Sequence, residues 1–215
     1  MSESQIDYWN RLGTTKAFSH PVNLSRLAEL VDPDCRILDV GCGYGRVMGL
    51  LHDHGYRNLV GVDPAPAMVA AARQRFPALT FQALSSTRLP VADESVDAAL
   101  LFTVLTSIPS DDEQRRVIRE IGRVLRPDGL LYISDLWIQK DERNVDRYRR
   151  FHEKYGVYGI FELPEGVVLR HHTRQWIEQL TARFALIAVD EMVVDTMNGH
   201  RADAFQWFGR KAGPA

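Results

Sequence analysis

A chain of 215 residues, 45% hydrophobic and 25% charged, is long enough for one α/β unit with a buried core and too balanced to be disordered or fibrous. Its formal net charge of −2 gives no general attraction to nucleic acid or to an anionic membrane. No apolar run approaches the roughly 20 residues of a membrane span. The polar start Met1-Ser2-Glu3-Ser4 is not a signal peptide, so a cytoplasmic location is expected. Cys35 and Cys42 match no metal-ligand spacing and support no disulfide framework, and no metal is expected.

In chain order, 6–12 reads as a short helix. Residues 23–31 follow as a second helix, with Leu24, Leu27, Ala28 and Val31 on one face. A first strand at 37–40 precedes helices at 46–54 and 66–76, with strands near 59–62 and 80–84 and a fourth at 98–102. Ser110-Asp111-Asp112-Glu113 has the form of a capping box. Val117, Ile118, Ile121, Val124 and Leu125 supply the buried stripe of the helix it opens, which Pro127 and Gly129 should end. A fifth strand is expected at 130–134, a last helix after Thr173, and strands at 184–194 and 204–208 paired antiparallel through the Asn198-Gly199 turn. Short apolar strands without a polar alternate face predict a mostly parallel sheet with helices on both faces, its ligands beyond the strands' carboxyl ends.

The stretch Leu38-Asp39-Val40-Gly41-Cys42-Gly43-Tyr44-Gly45-Arg46 carries the chemistry. Alternate glycines permit positive φ and a close approach of ligand to backbone. The dinucleotide fingerprint would place a further glycine where Arg46 stands, and Asp39 at the strand end would repel a pyrophosphate. A carboxylate there suits a ligand bearing an ammonium and a sulfonium. Asp63 ends the second strand 24 residues after Asp39, where an acid can accept hydrogen bonds from ribose hydroxyls.

These residues resemble the class I S-adenosylmethionine-dependent methyltransferases, whose first motif is an acid followed by Gly-x-Gly-x-Gly after the first strand. Pro64-Ala65-Pro66-Ala67-Met68, Leu89-Pro90 with the acid Asp97, and Val124-Leu125-Arg126-Pro127-Asp128-Gly129 resemble later blocks of the family. About half the chain is covered, most densely 36–135. The resemblance implies a doubly wound, Rossmann-like, seven-stranded mostly parallel sheet with an antiparallel last strand. It also implies S-adenosyl-L-methionine as cofactor, held by Asp39, Gly41, Cys42, Gly43, Asp63, Pro64, Met68, Leu84, Ser85, Ser86 and Phe102. Two positions depart from the pattern: Ala65 replaces a frequent serine, and Ser85 replaces an aspartate that meets the adenine amino group. A hydroxyl can still accept that bond.

The whole of 1–215 is expected to be one domain, with 1–22 as an N-terminal cap and 136–172 as a substrate lid inserted after strand five. Within 136–170, seven basic residues face six acidic ones, a poor phosphate track, and Tyr155 and Tyr158 are candidate acceptor contacts with Tyr8, Thr103 and Asp135. A helix plus hairpin that merely covers the sheet is the alternative for this stretch. Methyl transfer from a sulfonium needs mainly alignment, and a base is optional. His20, His171 and His172 are the candidate bases; on a strand the adjacent pair face opposite sides, so at most one of them faces a site.

The acceptor is expected to be a small molecule methylated on oxygen or nitrogen, with no nucleic-acid or membrane partner; the oligomeric state is not encoded legibly. Phe102-Thr103-Val104 lacks the Asn/Asp-Pro-Pro-Tyr motif of enzymes that methylate a base nitrogen. Two alternatives stay open: a catalytically inactive S-adenosylmethionine-binding protein, and a nicotinamide-dependent reductase on the same scaffold.

Overall fold

The computed structural model describes residues 3–213. Strands β1 (Ile37–Val40), β2 (Leu59–Asp63), β3 (Thr80–Ala83), β4 (Val96–Phe102) and β5 (Leu125–Leu136) pair in parallel, in the order β3-β2-β1-β4-β5. The sheet is completed by β8 (Phe184–Asp195) and β9 (Arg201–Lys211); β9 lies antiparallel between β5 and β8. Seven strands, mostly parallel, thus form the sheet that the sequence predicts.

Both faces are covered, and the strands alternate between them. Leu38, Ala99 and Leu101 pack with Ile118 and Ile121 of α5 (Asp111–Val124) and Ile177 and Leu180 of α7 (Arg174–Leu180). Ile37, Ala98 and Leu100 pack on the other side with Leu27 of α2 (Leu24–Leu30), Met48 and Leu51 of α3 (Arg46–Asp53) and Val69 and Ala72 of α4 (Pro66–Arg75). Period-2 alternation into two apolar layers explains why these strands carry no polar face. The chain runs outward from β1 to β3 and returns to place β4 on the other side of β1. The sheet order therefore reverses between β1 and β4, where such sheets open a crevice at their carboxyl ends.

Capping chemistry sets several boundaries. Asn23, Ser110, Asp141 and Thr173 each accept an N–H of the following turn through their side chains. The helix opened by Ser110 ends at Val124, before Pro127, because Leu125 already pairs with Val96 in extended conformation. Arg126, preceding proline, is disfavoured in a helix anyway. Strand five consequently starts earlier than expected, and its chain turns at Asp128 with φ +61.

The segment after β5 is a helix plus hairpin: α6 (Glu142–Tyr155), then β6 (Ile160–Glu162) paired antiparallel with β7 (Val168–Arg170). It packs against the N-terminal helix α1 (Glu3–Leu12). Tyr8, Trp9, Met68, Tyr148, Phe161 and Leu169 form one apolar cluster that joins α1, α4, α6 and the hairpin.

Candidate active site

Beyond β1 the chain folds back on its neighbour: the N–H groups of Gly41 and Cys42 both donate to the Val62 carbonyl, at 2.8 and 3.0 Å. Gly41, Gly43 and Gly45 all have positive φ. At Gly41 (φ +76) an added Cβ would lie 2.5 Å from Val104 Cγ2, so glycine serves both conformation and close packing there. The turn leads into α3 with its amides at the mouth of a cleft.

This cleft has a volume of about 170 Å³. Asp39, Gly41, Cys42, Gly43, Asp63, Pro64, Met68, Leu84, Ser86 and Phe102 all line it. Ser85 does not. It lies on a shallow groove with Gln82 and Arg88, and Ser86 and Thr87 take its place on the cleft wall. Trp9, Phe18, Tyr44, Arg46 and Val104 also line the cleft.

The two acids differ. Asp63 accepts the Gly43 N–H at 2.9 Å and the Ala65 N–H at 2.8 Å; burial pushes its carboxyl up to about 6 against those two bonds. Asp39 Oδ2 is buried with no hydrogen-bond partner among the described residues. Burial pushes Asp39 up to about 7, with the Arg46 guanidinium opposing the shift and Asp63 adding to it. An orphaned buried carboxylate oxygen is costly unless a ligand completes it. A cationic ammonium does so, and the glycine turn leaves room for the rest of an aminoacyl chain. The residues present therefore fit S-adenosylmethionine.

A second chamber, of about 420 Å³, adjoins the cleft; Trp9, Phe18, Thr103 and Ser107 line both cavities. Thr103 holds the left-handed conformation (φ +57) immediately after β4, with its N–H on the Ser134 carbonyl. A strained non-glycine residue there marks a position that its surroundings over-determine.

His20 and His171 line this chamber, and His172 lines neither cavity. His20 is held by a 3.0 Å hydrogen bond between Nδ1 and Ser134 Oγ; burial and then Arg46 lower its pKa to about 4. Its imidazole is neutral at physiological pH. His171 Nδ1 meets the Tyr148 hydroxyl, which also accepts the Gln139 N–H. Burial pushes that phenol up to about 12 and holds His171 well below its ordinary value. With the phenol already an acceptor from Gln139, its proton goes to Nδ1, and the ring keeps its own proton on Nε2. His171 thus presents a donor, the wrong group for a base.

Five further sequence expectations are corrected by position. His172 turns inward, 3.7 Å from Asp135, and both its ring nitrogens lack hydrogen-bond partners among the described residues. Asp135 is fully buried and accepts from Thr106 N at 3.1 Å and Leu136 N at 2.8 Å; it lies beneath the chamber floor, not in it. Tyr155 donates to Glu162, and Tyr158 stands edge-on to Tyr148 at 5.2 Å; neither reaches a cavity wall. Tyr8 is packed under its neighbour Trp9, edge-on at 5.0 Å, and it is Trp9 that faces both cavities. Thr103 lines the chamber.

A family model described as a methyltransferase domain matches residues 38–133. An uncharacterized methyltransferase of Mycobacterium tuberculosis is 32% identical over 152 residues, which cover 68% of this chain and 59% of that protein. The chain is similar to the class I S-adenosylmethionine-dependent methyltransferases in this matched domain and in its fold. An O-methyltransferase of Pyrenophora dematioidea is 28% identical over 194 residues, covering 79% and 72% of the two chains. The crystal structure of a SAM-dependent methyltransferase from Methanosarcina mazei superposes with a TM-score of 0.83 at 24% identity, over 88% of this chain and 98% of that one. That likeness is one of fold. This chain spans about three-fifths (59%) of the length of its mycobacterial relative. The family match leaves the nicotinamide reading without support.

Proposed function

We propose that this chain transfers a methyl group from S-adenosylmethionine to an oxygen or nitrogen of a small-molecule acceptor held in the second chamber. The observation that carries the reading is the unpartnered Asp39 Oδ2 in a glycine-turn cleft that shares a wall with a second chamber. Asp39 would hold the ammonium, the turn of Gly41 to Gly43 the aminoacyl chain, Asp63 the ribose through its remaining lone pairs, and Met68 and Leu84 the flat base. S-adenosylmethionine supplies an already activated methyl on a sulfonium. The chain's own task is to align the acceptor and manage one proton.

His20 is the group we assign to the proton. It lines the acceptor chamber and is neutral, so it can accept without first losing a proton of its own. Residues 136–172 act as the acceptor lid: Arg143, Asn144, Arg147, Phe161 and Leu169 line the chamber. Similarity to the O-methyltransferase of Pyrenophora dematioidea favours oxygen as the methylated atom.

The test is calorimetric titration with S-adenosylhomocysteine, NADH serving as competitor, followed by transfer of labelled methyl to an acceptor panel. Tight binding of the homocysteine compound alone, with labelled product, is expected. Tighter binding of NADH would overturn the reading; homocysteine-compound binding without turnover of any acceptor would favour an inactive binding protein.

A further inference from the structure

The second chamber carries two guanidinium groups on the wall formed by α6. Arg143 and Arg147 stand one turn apart on α6 and both line it. Arg143 reaches Asp141 at 3.9 Å. Arg147 has no carboxylate partner among the described residues; it donates to the neutral Tyr148 hydroxyl, its guanidinium lies 3.5 Å over the Phe161 ring and its buried Nε has no acceptor.

The acids of the same wall are committed or remote. Glu162 takes Lys154 and the Tyr155 hydroxyl, Glu165 takes Lys16 at 3.4 Å, and Asp195 is on the exposed rim. His171 lines the chamber beside this cation, with Nδ1 turned to the Tyr148 hydroxyl. Asn144 adds a buried Oδ1 without a partner, its orientation fixed because Nδ2 donates to Asp141.

A guanidinium that has only a neutral hydroxyl as partner in the wall of a chamber is stabilised by a planar anion that meets its fork, a geometry that carboxylates offer. Stacking on Phe161 fixes the plane of that fork. We propose that the acceptor carries a carboxylate, which pairs with Arg147 with the His171 Nε2–H as second donor, while Asn144 Oδ1 accepts a hydroxyl or N–H of the same molecule. Arg147 is a binding residue that selects hydroxy or amino acids over their neutral analogues. This rests on the chamber being the acceptor site of the proposed methyltransferase, and deepens that reading.

The test titrates the protein saturated with S-adenosylhomocysteine with salicylate, salicylamide and phenyl phosphate in turn, following Trp9 fluorescence and heat. Salicylate should bind at least about tenfold more tightly than salicylamide, as expected for a charge-assisted pair. Arg147→Gln should abolish that gap with salicylamide affinity, homocysteine-compound affinity and melting temperature unchanged. Arg147→Lys should restore part of it. Equal binding of acid and amide, no salicylate binding up to about 10 mM, a gap that survives Arg147→Gln, or tighter binding of phenyl phosphate would overturn the proposal. The two readings fail separately. Loss of homocysteine-compound binding with carboxylate discrimination intact would sink the methyltransferase reading alone, and the reverse would sink only this one.

Discussion

Asp63, at the end of β2, accepts the N–H of Gly43, in the turn after β1, at 2.9 Å. The acid assigned to the ribose therefore also holds the glycine turn that faces the cofactor's other end. Replacing Asp63 by alanine should cost about 1 to 3 kcal/mol of S-adenosylhomocysteine affinity, since it removes charged hydrogen bonds and frees the turn. Calorimetry on the variant checks this; unchanged affinity would remove Asp63 from the site.

Asp39 gives the binding a pH dependence of known sign. Its carboxyl is pushed up to about 7 in the free protein, and a cationic ligand needs it ionised. Affinity for S-adenosylhomocysteine should be constant above that value and fall as pH drops below it, approaching about tenfold per pH unit. Asp39→Asn should bind weakly at every pH and flatten the profile. A wild-type profile flat from pH 5 to 8 (about the span of that titration) would show that Asp39 does not meet the ligand's charge.

His20→Gln separates binding from proton transfer. Glutamine can keep a hydrogen bond to Ser134 but cannot take a proton, so turnover should fall about 10²- to 10⁴-fold with cofactor affinity intact. Because burial holds His20 near 4, its contribution should not vary between neutral and mildly acidic pH, and should vanish only as pH falls through about 4. A rate unchanged by the substitution would point to an acceptor that needs no base.

At Gly41 conformation and packing can be measured apart. Gly41→Ala should destabilise by about 1 to 2 kcal/mol for the left-handed backbone alone, with an added cost from the 2.5 Å approach to Val104 Cγ2. In a Val104→Ala background the added part should disappear and the backbone part remain. Urea unfolding of the two single variants and the double variant measures the coupling, and full additivity would mean that no contact exists.

Much of this architecture is written locally. Ile37–Val40 is expected and observed with the same bounds because it is a short apolar run closed by glycine. Ser110 and Thr173 announce their helices by side-chain caps. Helix α6 was harder to read, although Asp141 caps it and Val145, Tyr148, Phe151 and Tyr155 repeat at helical spacing; ten charged or polar neighbours within Glu142–Tyr155 obscure that stripe. Part of the cleft wall was legible because Asp39, Gly41, Cys42, Gly43, Asp63, Pro64 and Met68 lie in two short motifs, whereas Trp9 and Phe18 of the same wall do not. The chamber was not, since Trp9, His20, Thr103, Arg147 and His171 come from five separate parts of the chain and meet only in three dimensions. Strand-end position placed Asp135 correctly on the sheet's carboxyl edge, yet side-chain direction, which a lone sequence leaves unresolved there, turned it into the core.

The wall of Trp9 and Phe18, common to cleft and chamber, makes the two occupants thermodynamically reciprocal. Any factor by which filling one cavity changes affinity in the other must, by linkage, hold equally in the opposite direction, so substitutions at Trp9 or Phe18 should alter both affinities' coupling by the same amount.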